Sequence, residues 1–213
     1  MGEGQVDMDN RKEGQKDRHQ KAAPPKSRIY TRTGDHGTSA LFNGERRSKT
    51  DVVFDALGHT DELNAQLGMA VEYCRREKNE LADRLMEVQS RLLDVGAAIA
   101  TPLHTSSDQK LKKVSFSADH TDVVESWINE LDCQLEPLKN FILPGGGQAS
   151  SQLHIARTIC RRAERAICVL REEDEVEQSV MRYMNRLSDF LFVAARFAAH
   201  HGGHEETIYR NVK

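Results

Sequence analysis

Three groups of residues in this 213-residue chain have the types and spacing to handle an anion. The first is Thr31-Arg-Thr-Gly-Asp-His-Gly-Thr-Ser39. Glycines let backbone N–H groups approach a phosphate closely, hydroxyls donate hydrogen bonds, and Arg32 or the downstream Lys49 supplies positive charge. The GxxxxGK[ST] spacing of a Walker A loop is absent. On composition alone the segment reads equally as an ordinary turn-rich arm. The second group is Arg157, Arg161, Arg162, Glu164 and Arg165. On a helix Arg157, Arg161 and Arg165 stack along one face with Glu164 beside them, and their mutual repulsion is relieved only by an anion or by solvent. Guanidinium forks match phosphate oxygens. The plain alternative is a solvated charged face.

The third group is Asn185, Ser188 and Asp189, with Arg186 between them, set into the apolar text Tyr183-Met-Asn-Arg-Leu-Ser-Asp-Phe-Leu-Phe192. These side chains can fix a ligand, meet the arginines above, or bridge one helix to another. His36, His59, His154 and the run of His200, His201 and His204 form no helical Glu-x-x-His pair, which disfavours a di-iron centre. Cys74, Cys133, Cys160 and Cys168 contain no CxxC pair, so no zinc site is expected and no metal ligands are assigned. On one helix Cys160 and Cys168 would lie roughly 12 Å apart, too far for a disulfide, and reduced thiols are expected.

The elements that must position these groups are mostly helices. Residues 1–27 are charged and nearly free of large apolar side chains, so disorder is expected there, ahead of one domain over 28–213. Ile29, Tyr30 and Thr31 favour extended backbone, punctuated by Gly34, Gly37 and Gly44, which predicts a loop or short extended arm. A helical stripe then carries Phe54, Leu57, Leu63, Leu67 and Ala70, with Thr60, Asp61 and Glu62 near an early turn. Leu81, Leu85, Val88, Leu92, Val95 and Ile99 alternate steps of four and three, a sustained amphipathic helix closed by Thr101-Pro102. An irregular polar stretch to about Ala118 precedes a shorter helix with Val124, Trp127, Ile128 and Leu131. Phe141-Ile-Leu-Pro-Gly-Gly-Gly147 reads as a loop. Helices are expected from about Gln148 to Leu170, with Leu153, Ala156, Ile159, Ala163 and Ile167 inward, and from Val176 to His200, with Val180, Tyr183, Leu187, Phe190, Leu191, Ala194 and Phe197. The sum is an all-α bundle of about five helices behind an extended Gly/Thr-rich arm, with short connections favouring antiparallel neighbours.

Bulk properties limit the function classes. Charged residues make up 30% of the chain and the apolar set 38%, the net charge is −3 and the mean hydropathy is −0.63. That balance argues against nucleic-acid binding through bulk electrostatics, while leaving room for a local basic pocket. No apolar run reaches the length of a membrane span. The first residues resemble neither a secretory signal nor a transit peptide, since Glu3, Asp7, Asp9, Glu13 and Asp17 interrupt their basic residues.

Four blocks together resemble the PduO-type ATP:cob(I)alamin adenosyltransferases: Tyr30-Thr-Arg-Thr-Gly-Asp-His-Gly37, Thr60-Asp-Glu-Leu63, Phe141-Ile-Leu-Pro-Gly-Gly-Gly147, and Arg161-Arg-Ala-Glu-Arg165 with Asn185-Arg-Leu-Ser-Asp189. Asn43-Gly-Glu-Arg-Arg-Ser-Lys49 is similar to animal members. The resemblance implies a five-helix, ferritin-like bundle of the cobalamin adenosyltransferase kind that assembles as a homotrimer with sites between subunits. The enzyme would transfer the 5′-deoxyadenosyl group of ATP to the cobalt of cob(I)alamin, giving adenosylcobalamin and triphosphate, with Mg2+ on the phosphates. It implies that Thr31, Arg32, Thr33, Gly34, Ser39, Ala40 and Lys49 hold ATP together with Arg161, Arg162, Ala163, Glu164, Arg165 and Asn185. It implies that Asp61 pairs with Arg157 on the corrinoid side, with Asp189 near, and that Phe141 lies against the corrin and displaces the lower cobalt ligand. Arg161, Phe141, Asp61 and Arg157 would be the residues on which turnover depends. His36 stands where members commonly carry lysine. A client B12-dependent enzyme and a mitochondrial location, otherwise cytoplasmic, are implied in the same way. The alternative is a non-catalytic bundle that binds nucleotide or corrinoid and delivers cofactor to a client enzyme.

Overall fold

The computed structural model describes Met1, Tyr30 and residues 32–211. The expectations for residues 1–27 and for Thr31 lie outside the described residues. The chain divides after Arg32 into two units. In the first, the Arg32 guanidinium stands 5.5 Å from the centroid of the Tyr30 ring.

The second unit opens with two short strands, β1 (Thr38–Ala40) and β2 (Arg46–Ser48), and continues through α1 (Val52–Glu77), α2 (Leu81–Ile99), α3 (Asp108–Val114), α4 (Asp119–Asp132), α5 (Gly147–Glu172) and α6 (Gln178–His201). Five long helices form the bundle, as the apolar periodicity predicts. The seven-residue α3 lies inside the stretch expected to be irregular. Each expected inward residue of α2, α5 and α6 is buried. Phe54 and Leu57 are only half-buried, at the outer edge of the α1 stripe.

Residue types explain where α1 begins. The Asp51 carboxylate accepts from the Val53 amide at 3.0 Å, capping the helix a full two turns before Thr60. Thr60 therefore sits in the third turn, not an early one, buried with its hydroxyl donating to the Ala56 carbonyl at 2.8 Å. Asp61 and Glu62 are exposed beside it.

Side-chain pairings give the helix directions. Glu77 meets Ala149 while Glu62 meets Arg162, so α1 and α5 run antiparallel. Arg171 meets Gln178 and Glu164 meets Asn185, so α5 and α6 are antiparallel too. Glu125–Arg186, Trp127–Phe190 and Asp132–Arg196 order α4 parallel to α6. The loop after α4 must therefore bring the chain back to the end at which α4 finished, where α5 begins. Gly146 permits that return: its φ is +88°, and a β-carbon there would fall 2.6 Å from the β-carbon of Ala199 on α6.

Candidate functional site

The extended arm is a hairpin with Thr38 opposite Ser48 and Ala40 opposite Arg46. Its turn is closed by Arg46, whose Nη2 donates to the Thr33 carbonyl and to the Thr38 hydroxyl, each at 2.7 Å. The Lys49 amide donates to the Gly37 carbonyl at 2.9 Å, which turns the lysine side chain back across the loop. A β-carbon on Gly34 would lie 3.2 Å from Lys49 Nζ, so glycine leaves the space that the ammonium fills. No carboxylate pairs with Lys49 among the described residues. Glycine backbone, the Thr33, Thr38 and Ser39 hydroxyls and a free ammonium within one turn are a donor set for phosphate oxygens.

Arg47 fixes this hairpin to the bundle. Its two terminal nitrogens each reach the Glu175 carboxylate at 3.0 Å, in the α5–α6 connection, and its Nε reaches Glu45 at 2.8 Å. The Arg47 hydrogen bond, with a second from Thr105, holds the Glu45 carboxyl down at about 2. Glu175 and then Glu45 push the Arg47 guanidinium above its ordinary value. In the sequence Arg46 and Arg47 appear only within the Asn43–Lys49 block, with no partner assigned to either.

The α5 arginines divide by partner. Arg157 is half-buried, its guanidinium 5.8 Å from the centroid of the Phe192 ring, and its Nε is buried without an acceptor. Burial, and then the like charge of Arg161, push Arg157 below its ordinary value. Arg161 is exposed and its side chain has no partner among the described residues, while Arg165 donates to the Arg161 carbonyl at 3.1 Å. Arg162 turns toward α1, where it pairs with Glu62 and donates to His59 Nδ1. The Ala163 side chain is fully buried in the core. Glu164 accepts from Asn185 at 2.8 Å, which brings the third group against the second.

Asp189 is taken by Arg186 at 2.6 Å, and Arg186 also reaches Glu125 on α4 at 2.8 Å. That is the helix-bridging arrangement among the alternatives for this group. Asp61 is exposed on a groove of about 310 Å³ between α1 and α2, bordered by Leu57, Asn64, Leu93 and Gly96. Within the chain Asp61 and Arg157 form no ion pair. Phe141 is 83% exposed, and with Leu138 and Tyr209 it borders an open pocket of about 380 Å³.

The groups lie at different heights of the bundle. The hairpin is tied beyond the last turn of α5, at Glu175, and the Phe141 loop leads into its first turn, at Gly147. At 1.5 Å per residue the helix between them is about 38 Å long.

A helical bundle with arginines along one face of α5 and a Gly–Lys turn rich in hydrogen-bond donors is consistent with a nucleotide-using transferase of all-α architecture. More specifically, the chain belongs to the cobalamin adenosyltransferase family, whose sequence profile matches residues 29–198. It is similar to the corrinoid adenosyltransferase MMAB of Mus musculus, 45% identical over 183 residues, which covers 86% of this chain and 77% of that protein. The MMAB of Homo sapiens is 46% identical over 182 residues, covering 85% of this chain and 73% of that protein. Among solved structures, a variant of the PduO-type ATP:corrinoid adenosyltransferase from Lactobacillus reuteri, complexed with cobalamin and ATP, is 36% identical. It aligns with a TM-score of 0.80 over 86% of this chain and 100% of that one. Among the described residues no helix is long and apolar enough to cross a membrane.

Proposed function

We propose that this chain carries out its family's adenosyl transfer from ATP to cob(I)alamin at sites each assembled from two copies of the chain. The observation that carries the reading is Arg161, without a partner among the described residues, on α5 between Arg157 and Arg165 in a member of this family. Cobalt in the +1 state is the nucleophile. It attacks the 5′ carbon of ATP, the C5′–O bond breaks, and triphosphate leaves with the bonding electrons. No proton moves, so no general base is needed. The protein supplies position and charge.

In this reading one copy brings Thr31 to Gly34, Ser39, Ala40 and Lys49 to the phosphates. The neighbour brings Arg161, Arg162, Arg165 and Asn185, with Ala163 and Glu164 shaping the helix surface between them. The separation of hairpin and Phe141 loop along α5 supports sharing of this kind. So do the two unsatisfied partners Arg157 and Asp61, which meet across the interface of a homotrimer. Phe141 lies against the corrin, with Asp189 near its edge. Triphosphate is a better leaving group when its charge is neutralised, which is the work of Arg161 and Arg165.

Magnesium travels on the nucleotide. The hydroxyls and ammonium around Gly34 suit phosphate oxygens, whereas a magnesium ion keeps water and phosphate oxygens about it and asks for one or two carboxylates at most. By resemblance to animal members, the working compartment is the mitochondrion and the product passes to a B12-dependent client enzyme.

The test is adenosylcobalamin formation, followed by visible absorbance with ATP, Mg2+ and chemically reduced cobalamin, together with triphosphate release. Arg161→Ala is expected to lower kcat/KM by about a hundredfold or more, the scale of losing one transition-state charge partner. Folded protein that binds ATP and makes no product would establish a cofactor carrier instead.

A further inference from the structure

We infer that Arg196 is the positioning residue for Phe141, holding both the loop that presents this side chain and the segment that backs it; the inference rests on the corrin-facing reading of Phe141. Arg196 lies near the end of α6 in an otherwise apolar run and is 5% exposed. Its Nε donates to Glu206 at 2.6 Å, and its Nη2 donates to Glu206 at 3.3 Å and to the Glu136 carbonyl at 2.9 Å. Glu136 stands five residues before Phe141. Glu206 starts the segment that pairs with the loop from the other side. There Thr207 accepts from the Leu143 amide and the Tyr209 amide donates to the Phe141 carbonyl, both at 2.8 Å, around an Ile142–Ile208 bridge.

The Phe141 ring is too exposed for packing to fix its place, and residues 136–140 are exposed as well. A hollow of about 290 Å³ separates this loop from the body of the bundle at Arg196. The ring therefore takes its place from the backbone, and the backbone takes its place upstream and downstream from one guanidinium. For stability alone a well-packed apolar pair in place of Arg196 and Glu206 would serve as well or better. What only arginine supplies is a planar fork joining a carboxylate and a carbonyl at fixed angles.

The experiment compares Glu206→Ala, Arg196→Lys and Phe141→Ala. Glu206 follows the last helix and is partly exposed, so its variant changes no helix residue, and Arg196→Lys keeps the charge while losing the fork. Three readouts are taken: KM for cob(I)alamin, KM for ATP, and the absorbance change of cob(II)alamin on binding with ATP, which reports release of the lower cobalt ligand. Glu206→Ala is expected to lower kcat/KM for cob(I)alamin about tenfold, with KM for ATP within about twofold of the parent. Its absorbance change should be weakened toward that of Phe141→Ala, with Arg196→Lys in between. The inference is overturned if Phe141→Ala loses the absorbance change while Glu206→Ala and Arg196→Lys keep it along with normal kinetics. It is also overturned if both KM values rise together with a lowered Tm, the mark of a merely structural role. Should Phe141→Ala itself keep the full change, the corrin-facing reading falls and takes this one with it.

Discussion

The Lys49 ammonium occupies the space that a side chain on Gly34 would claim, with Nζ 3.2 Å from that β-carbon position. Because the atom met is the end of a flexible side chain, Gly34→Ala is expected to fold with stability within about 0.5 kcal/mol of the parent. The displaced ammonium should raise KM for ATP several-fold and leave KM for cob(I)alamin unchanged. Equal KM values for ATP would separate Lys49 from the phosphates.

Sharing of each site between two copies has a direct consequence for mixed assemblies. Lys49→Ala and Arg161→Ala damage opposite halves of a site, so co-expressed chains should rebuild some intact ones. Random assortment of equal amounts makes about a quarter of the sites whole. Activity of the mixture should approach that fraction of the parent, well above either variant alone. If the mixture is as inactive as its components, both residues serve the same copy's site.

His154 offers a stability test against pH. It is 4% exposed, its Nδ1 has no hydrogen-bond partner among the described residues, and its ring lies 6.1 Å from that of Phe192. Burial first, and then the charge of Arg157, lower its pKa from 6.5, with Glu206 acting the other way. The unfolded chain thus takes a proton that the folded chain refuses. The contribution of His154 is full above 6.5 and is lost as pH falls through the depressed folded value. Tm of the parent should fall more steeply below that pH than Tm of His154→Gln. Parallel curves would remove His154 as the cause.

The return of the chain at Gly146 predicts a sharp contrast between neighbours. Gly146→Ala forces a β-carbon to 2.6 Å from Ala199 at a φ of +88° and should cost about 2–3 kcal/mol. Gly145→Ala meets nothing nearer than the Leu143 carbonyl at 4.0 Å and should be close to neutral. Adding Ala199→Gly to the first variant should recover part of the loss, read by denaturant melts. Similar melts for the two alanine variants would contradict the packing described.

The bundle was legible because its helices carry unbroken stripes: Leu81 to Ile99 is buried at each expected step, and α6 likewise. Thr60-Asp61-Glu62, expected near an early turn of α1, lie in and beyond its third turn because Asp51 caps the helix further upstream. The hairpin was hidden for a different reason. Its strands are three residues each, too short for an alternating pattern, and they are held by Arg47 reaching a residue 128 positions away. The arginine face was visible from its spacing, but the fate of each arginine was not. Arg162 turns to Glu62 while Arg161 stays unpaired, a distinction made by the neighbouring helix and not by local sequence. Arg196 was passed over since a lone arginine in an apolar run names no partner.

The antiparallel seam of α1 against α5 sets the order in which the chain can fold. The α1–α2 pair closes through a three-residue connection and can form early, whereas the α1–α5 seam joins positions such as Gln66 and Gln152, 86 residues apart. On a ribosome the side of α1 that meets α5 waits without that partner until most of the chain has been made. The nascent protein is therefore at its stickiest midway through synthesis, with the α5-facing side of α1 still open to whatever holds hydrophobic segments in the cell.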